Sequence, residues 1–189
     1  MKKSFLLSAF ALVICFSLTA NAQIQYGGKI GLNFANIGGT NAATSYPGNG
    51  TRTGLVIGGF MSYEFAPMFA VEPEVLFSMK GTSGSTEGIT YTGILNYIEV
   101  PVFLKFKIPL APGSPVSANL YAGPDFAFKV ASSIEETENG QSTTIDESSN
   151  TNGFDFGIAF GGGIGFRVGP TTLGLELRYT IGTGTVASN

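Results

Sequence analysis

Residues 69–80 alternate without a break. Phe69, Val71, Pro73, Val75, Phe77 and Met79 fall on one parity, and Ala70, Glu72, Glu74, Leu76, Ser78 and Lys80 on the other. A period of two is the mark of a strand with one apolar and one polar face. Residues 95–108 repeat the pattern, with Ile98, Val100, Val102, Leu104, Phe106 and Ile108 opposed to Tyr97, Glu99, Phe103, Lys105 and Lys107. Residues 25–34, 53–65, 116–130, 154–167 and 172–181 behave alike, so the pattern predicts seven strands. No helix of consequence is expected beyond the N-terminal segment.

The two faces differ in kind. The apolar parity carries Ile30, Leu32, Leu55, Ile57, Met61, Tyr63, Leu120, Phe126, Phe128, Ile158, Ile164, Leu175 and Leu177, and no charge. The other parity carries Lys29, Glu64, Glu72, Glu74, Lys80, Glu99, Lys105, Lys107, Asp125, Lys129, Asp155, Arg167, Glu176 and Arg178. Seven acids face seven bases in that set, a balance that suggests mutual pairing.

Alternation alone leaves two readings open: an apolar face turned outward to lipid, or one turned inward to the core of a soluble barrel. Glycines favour lipid, because Gly27, Gly31, Gly58, Gly123, Gly157, Gly161, Gly163, Gly165 and Gly174 share the charged parity. A water-facing surface gains nothing from glycine. The inside of a barrel of about eight strands is only wide enough for its own side chains, so charges packed there need small neighbours. Pro73, Pro101 and Pro124 lack a ladder donor and call for a bulge or a local break.

Connections alternate in length. Residues 66–68, 109–115 and 168–171 are short and marked by Pro, whereas 35–52, 81–92 and 131–153 are long and rich in Gly, Ser, Thr and Asn. Short and long connections therefore gather at opposite ends, as in outer-membrane barrels with short periplasmic turns and long external loops. Phe65, Phe69, Tyr63, Phe106, Phe166 and Tyr179 lie near strand ends, where aromatic girdles sit.

The first 22 residues are read separately. Lys2 and Lys3 precede an apolar stretch over 5–18, and Ala20, Asn21 and Ala22 form a small-x-small site, the pattern of an export signal. Cys15, the single cysteine, would leave with that segment, and residues 23–189 would form one domain. Low charge (12%) and dispersed apolarity fit strands better than a spanning helix. A formal charge of −3 with scattered basic residues does not fit a nucleic-acid binder. With no His and no mature Cys, proton shuttling by imidazole and thiol chemistry are excluded.

Three segments invite chemistry and yield little. Glu72, Glu74, Glu99, Lys105 and Lys107 read as a lumenal ion-pair lining rather than an acid–base site. Glu135, Glu136, Glu138, Asp146 and Glu147 stand on a solvated external loop whose spacing matches no EF-hand. The glycines of 160–166 continue a strand and open no helix, so they cradle no phosphate. Neither enzyme activity nor a cofactor or metal is expected.

The ordered stretches Gly28-Lys29-Ile30-Gly31-Leu32-Asn33, Asn96-Tyr97-Ile98-Glu99-Val100-Pro101-Val102-Phe103-Leu104-Lys105, Tyr121-Ala122-Gly123-Pro124 and Leu175-Glu176-Leu177-Arg178-Tyr179 resemble the porin-family, or PorT-like, outer-membrane β-barrel domain proteins of Bacteroidetes-type bacteria. The resemblance implies an all-β, antiparallel, up-and-down transmembrane β-barrel of the eight-strand type in the outer membrane. Its partners would be outer-membrane lipid and envelope or secretion proteins reached through loops. The likeness departs at the C-terminus: a closing strand is expected after 181 and a Gly/Thr/Ser tail stands there instead, so seven strands are visible and the closing one is missing. The expected role is structural or transport-class, with at most a narrow charged passage; the alternative is a soluble periplasmic barrel holding a small apolar ligand.

Overall fold

The computed structural model describes residues 6–21, 24–37, 50–86, 89–111, 113–138, 141–146 and 153–183. These form nine strands: β1 (Leu6–Asn21), β2 (Ile24–Ile37), β3 (Gly50–Ala66), β4 (Phe69–Thr86), β5 (Ile89–Ile108), β6 (Val116–Glu138), β7 (Gln141–Asp146), β8 (Phe154–Val168) and β9 (Thr171–Gly182). Every pairing is antiparallel, and the order β1-β2-β3-β4-β5-β6-β8-β9 returns to β1, so eight strands close a barrel. β6 is long enough to take two partners on one edge, β8 along 116–128 and β7 along 133–138. Closure leaves no ladder edge around the wall, which is what allows strands to cross hydrocarbon.

Seven of the wall strands are those the alternation predicts. The eighth is not. The position expected to lack a strand holds β1, drawn from the segment with the export-signal pattern, paired to β2 on one side and β9 on the other.

Burial settles which parity is outside. Val75, Leu104 and Ile158 are 58%, 52% and 51% exposed, and Leu32, Ile57, Leu120, Ile164 and Leu177 share their side. Glu72, Glu74 and Lys29, by contrast, are only 2%, 1% and 3% exposed. This is the reverse of what an inward apolar core requires, so the soluble alternative is set aside. The small apolar clusters of the interior, Val56 with Leu76 and Phe103 with Tyr121 and Ala159, pack between the lumenal charges.

Aromatic rings bound the outer band. At the short-turn end Phe69 lies 6.2 Å from Phe65 and 5.5 Å from Phe106. At the other end Phe128 and Phe154 are 5.4 Å apart, level with Ile98 of β5. From Phe106 to Ile98 a strand climbs about 27 Å, which a usual barrel tilt reduces to roughly 20 Å along the axis, near the height of an outer-membrane apolar band.

One expectation about the wall is met and another is corrected. The prolines are met by local breaks, not bulges: Pro73 and Pro101 sit where bridges are interrupted, and the register on either side is unchanged. The one register shift between β5 and β6 falls at Asn96/Tyr97 instead. Much of the expected external loops is sheet, since β4 runs to Thr86, β5 starts at Ile89, and β6 and β7 make a further hairpin. Cross-strand hydroxyl pairs, Ser83 with Thr92 at 3.3 Å, Ser85 with Thr90 at 2.9 Å and Thr137 with Ser142 at 2.9 Å, tie this extension together. Where β4 enters it, Gly81 has φ of +142°, a backbone that only glycine takes without strain.

A charge placed on the outer band tests this arrangement. Ile158→Arg, near mid-height, is expected to lower folding stability in liposomes by about 2–4 kcal/mol, whereas Val168→Arg at the short-turn rim should cost about 0–1 kcal/mol. Equal effects in urea titrations would contradict the assigned band.

Candidate functional site

The lumen is where the charged parity converges. Lys29 of β2 is its hub: the Nζ donates to Glu72 at 2.9 Å, Glu74 at 2.6 Å and Glu176 at 2.8 Å. Lys105 of β5 reaches both carboxylate oxygens of Glu72, at 2.9 and 3.0 Å, and Glu176 at 3.2 Å. Arg178 of β9 donates through one Nη2 to both oxygens of Glu74 at 2.8 Å. Three cations and three carboxylates thus form one neutral cluster, supplied by β2, β4, β5 and β9.

Aromatic faces complete its walls. Lys29 lies 4.7 Å from the Phe60 ring centre, and Arg178 lies 4.6 Å from that of Phe103 and 5.6 Å from that of Tyr121. The Tyr121 hydroxyl donates to the Leu177 carbonyl at 3.2 Å, over Gly161. A Cβ at position 161 would run into both that hydroxyl and that carbonyl, so glycine is what lets the ring lie flat across the lumen.

Other predicted lining residues gather in smaller groups. Lys80 pairs with Glu99 beside Asp125 and the Tyr97 ring, farther toward the long-loop end. Lys107 pairs with Glu64 at the short-turn mouth, where Gln25 also donates to Glu64 at 3.0 Å. Lys129 and Asp155 are half-buried near the long-loop end of the wall. Arg167 departs from its expected place: it has the lumenal parity but is exposed, because it stands at the rim where the wall no longer encloses it. Arg52 was missed by sequence reading; it donates to the Lys80 carbonyl at 2.7 Å.

The free space is unequal on the two sides of the six-residue cluster. A cavity of about 390 Å³ opens at the short-turn end, lined by Gln25, Ser62, Lys107, Asn119 and Arg167 and reaching Glu72, Lys105 and Glu176. Around Lys80, Asp125 and Asp155 the cavity holds only about 10 Å³, space for one water at most. Among the described residues no group of Asp, Glu, His or Cys has the geometry to hold a metal ion. Glu72, Glu74, Glu99, Lys105 and Lys107, read from the sequence as an ion-pair lining, each take part in an ion pair.

Breaking the hub should be costly. Lys29→Met would leave three buried carboxylates with only Lys105 and Arg178 to balance them, and a loss of roughly 3–5 kcal/mol is expected, against about 1 kcal/mol or less for Lys107→Met at the half-exposed rim. Urea midpoints of the two variants in detergent, read by gel mobility of unheated samples, check the difference.

The translocator domain of the autotransporter NalP from Neisseria meningitidis is similar at 7% sequence identity and a TM-score of 0.42, over 96% of this chain and 88% of that one. No curated protein sequence matches. The model of the outer membrane protein beta-barrel domain matches residues 18–186. With charges enclosed, an uncharged band outside and nearly its whole length matched, the chain belongs to the outer membrane protein beta-barrel domain family.

Proposed function

We propose that this outer-membrane barrel is a plugged anchor that presents an external sheet and is not an open pore. The observation that carries the reading is the Lys29–Glu72–Glu74–Lys105–Glu176–Arg178 cluster, which fills the lumen between a 390 Å³ vestibule and a nearly closed upper space. A solute would have to displace buried, mutually neutralised charges whose separation is strongly unfavourable. In this reading the carboxylates and amines are structural and carry no catalytic step.

The external extension supports the anchoring half of the reading. β5 continues from Tyr97 to Ile89 above the aromatic belt, about 27 Å along the strand, flanked by the matching parts of β4, β6 and β7. A paired sheet holds its shape better than a free loop of equal length, so a partner in the envelope would meet a preformed surface with little ordering cost. The export-signal pattern of 1–22 fits delivery to that site, and the partners proposed are lipid around the band and envelope proteins at the extension.

Planar-bilayer recordings test the closed lumen. The expected result is no resolvable channel steps at neutral pH under conditions in which a porin shows them. A large, stable conductance from the unmodified protein would overturn the plugged reading.

A further inference from the structure

The vestibule at the short-turn end is a pocket with one mouth. Its cavity of about 390 Å³ falls near the lower end of the range of ligand pockets, about 300–1,000 Å³. The six-residue cluster closes it on the inner side through Glu72, Lys105 and Glu176, so an occupant enters and leaves by the same way. Two strand connections form its collar, with Pro67 and Met68 on one and Pro109, Leu110 and Ala111 on the other. That collar is braced without a ligand: the Ser114 N–H donates to the Ala111 carbonyl at 3.0 Å, the Val116 N–H to the Ser114 hydroxyl at 3.1 Å, and the Lys107 N–H to the Met68 carbonyl at 2.8 Å. A preformed rim loses little freedom on binding.

The charges of the lining set the sign of the occupant. Glu72 and Glu176 are its carboxylates, and each is already bonded to both Lys29 and Lys105. Lys107 is paired with Glu64. Arg167 differs: its backbone N–H is fixed on the Pro115 carbonyl at 2.8 Å, yet among the described residues its guanidinium has no carboxylate partner. A guanidinium presents a planar fork that takes a carboxylate in two parallel bonds. The lining also lacks a donor, since the buried Oδ1 of Asn119 accepts no hydrogen bond. Met68 and Leu110 leave the collar with exposed apolar surface. Acetate or inorganic phosphate would serve Arg167 alone, whereas a peptide also brings an N–H for Asn119 and an apolar side chain for the collar.

We infer that the vestibule is a binding pocket for a free peptide of two or three residues taken from the periplasmic side, with its carboxylate on Arg167 at the mouth and an N–H turned inward to Asn119. The closed floor rests on the plugged reading above; the mouth does not. Spacing sets the length. Asn119 is registered with Gly163 of β8, and Arg167 lies farther along the same strand, about 13 Å toward the mouth. The arginine side chain bridges part of that span, and a peptide at about 3.3–3.6 Å per residue covers the rest with two or three residues. Because the carboxylate faces out and the floor is closed, there is no room for an extension at the peptide's N-terminal end. A free short peptide fits this pocket, and the tail of a protein does not.

Titration calorimetry of the whole chain in detergent, at two temperatures and with the tripeptide Ala-Ala-Leu as probe, tests this. The expected result is one peptide per barrel, and at least about tenfold weaker binding of the same tripeptide ending in a carboxamide, because the charge-assisted pair is lost. Arg167→Gln should bring the acid down to the level of the amide, and Arg167→Lys should recover part of the loss; unheated gel mobility checks that each variant folds. Asn119→Leu should weaken acid and amide alike. A ten-residue peptide ending in Ala-Ala-Leu should bind at least about tenfold more weakly than the tripeptide. No binding at either temperature, equal binding of acid and amide, undiminished binding of the ten-residue peptide, or acetate or phosphate binding as tightly as the tripeptide overturns the proposal. Channel steps from a protein that still separates acid from amide would remove the plug and keep the pocket, so the two readings fail separately.

Discussion

Hydrocarbon accepts neither an unpaired backbone group nor an unpaired charge, and this double exclusion organises the molecule. The first half of the constraint demands a closed ladder; the second drives every ionisable side chain of the wall to the inside. A small barrel has little room for water there, so the charges must neutralise one another by direct contact. The hub at Lys29 follows: one ammonium with three donors meets three carboxylates arriving from β4 and β9, and the remaining cations Lys105 and Arg178 balance the sum. Glycines and aromatic faces are secondary consequences, since long charged side chains bridge a lumen only where the opposite wall is small or flat, as at Gly161 beneath Tyr121.

How far this was legible in the sequence depends on whether parity alone was enough. It was for the band and the lining: Glu72 and Glu74 two residues apart in an apolar run admit no other placement once the run is a strand. Parity carries no depth, so Arg167 was assigned to the lumen although it stands beyond the end of the enclosure. Nor does it carry partners. Lys29 and Glu176 are 147 residues apart, and their meeting depends on the tilt and register of all the strands between. The external sheet was hidden by composition, because Ser, Thr and Gly serve a loop and a hydroxyl-paired ladder equally well. β1 was hidden for the opposite reason: Val13 and Cys15 are apolar, so the alternation of Leu12, Ile14 and Phe16 disappears into one continuous hydrophobic run.

The two ends of the barrel have different tasks, and residue choice follows them. At the short-turn end the wall stops within a few residues of the aromatic belt, with Phe65 stacked on Phe69, Phe106 tilted against Phe69, and a polar vestibule behind them. At the long-loop end the strands of β4, β5 and β6 outrun the belt and continue as a hydroxyl-paired sheet joined by β7. That extension is covalently continuous with the strands bearing Glu72, Glu74 and Lys105, and the β5–β6 register shifts by one residue at Asn96/Tyr97, where it begins.

The same geometry links permeation to closure. The cluster spans β2, β4, β5 and β9, and two of these are the strands on either side of β1. Clearing a path for a solute would require separating Lys29 from Glu176 and Arg178 from Glu74, and those contacts also tie β2 and β4 to β9 across the lumen. Opening the lumen and loosening the wall on either side of β1 are therefore one event in energetic terms. In the plugged reading proposed above, such a barrel is poorly suited to gate a pore by rearranging its lining, since the rearrangement would unmake the wall before it widened the passage.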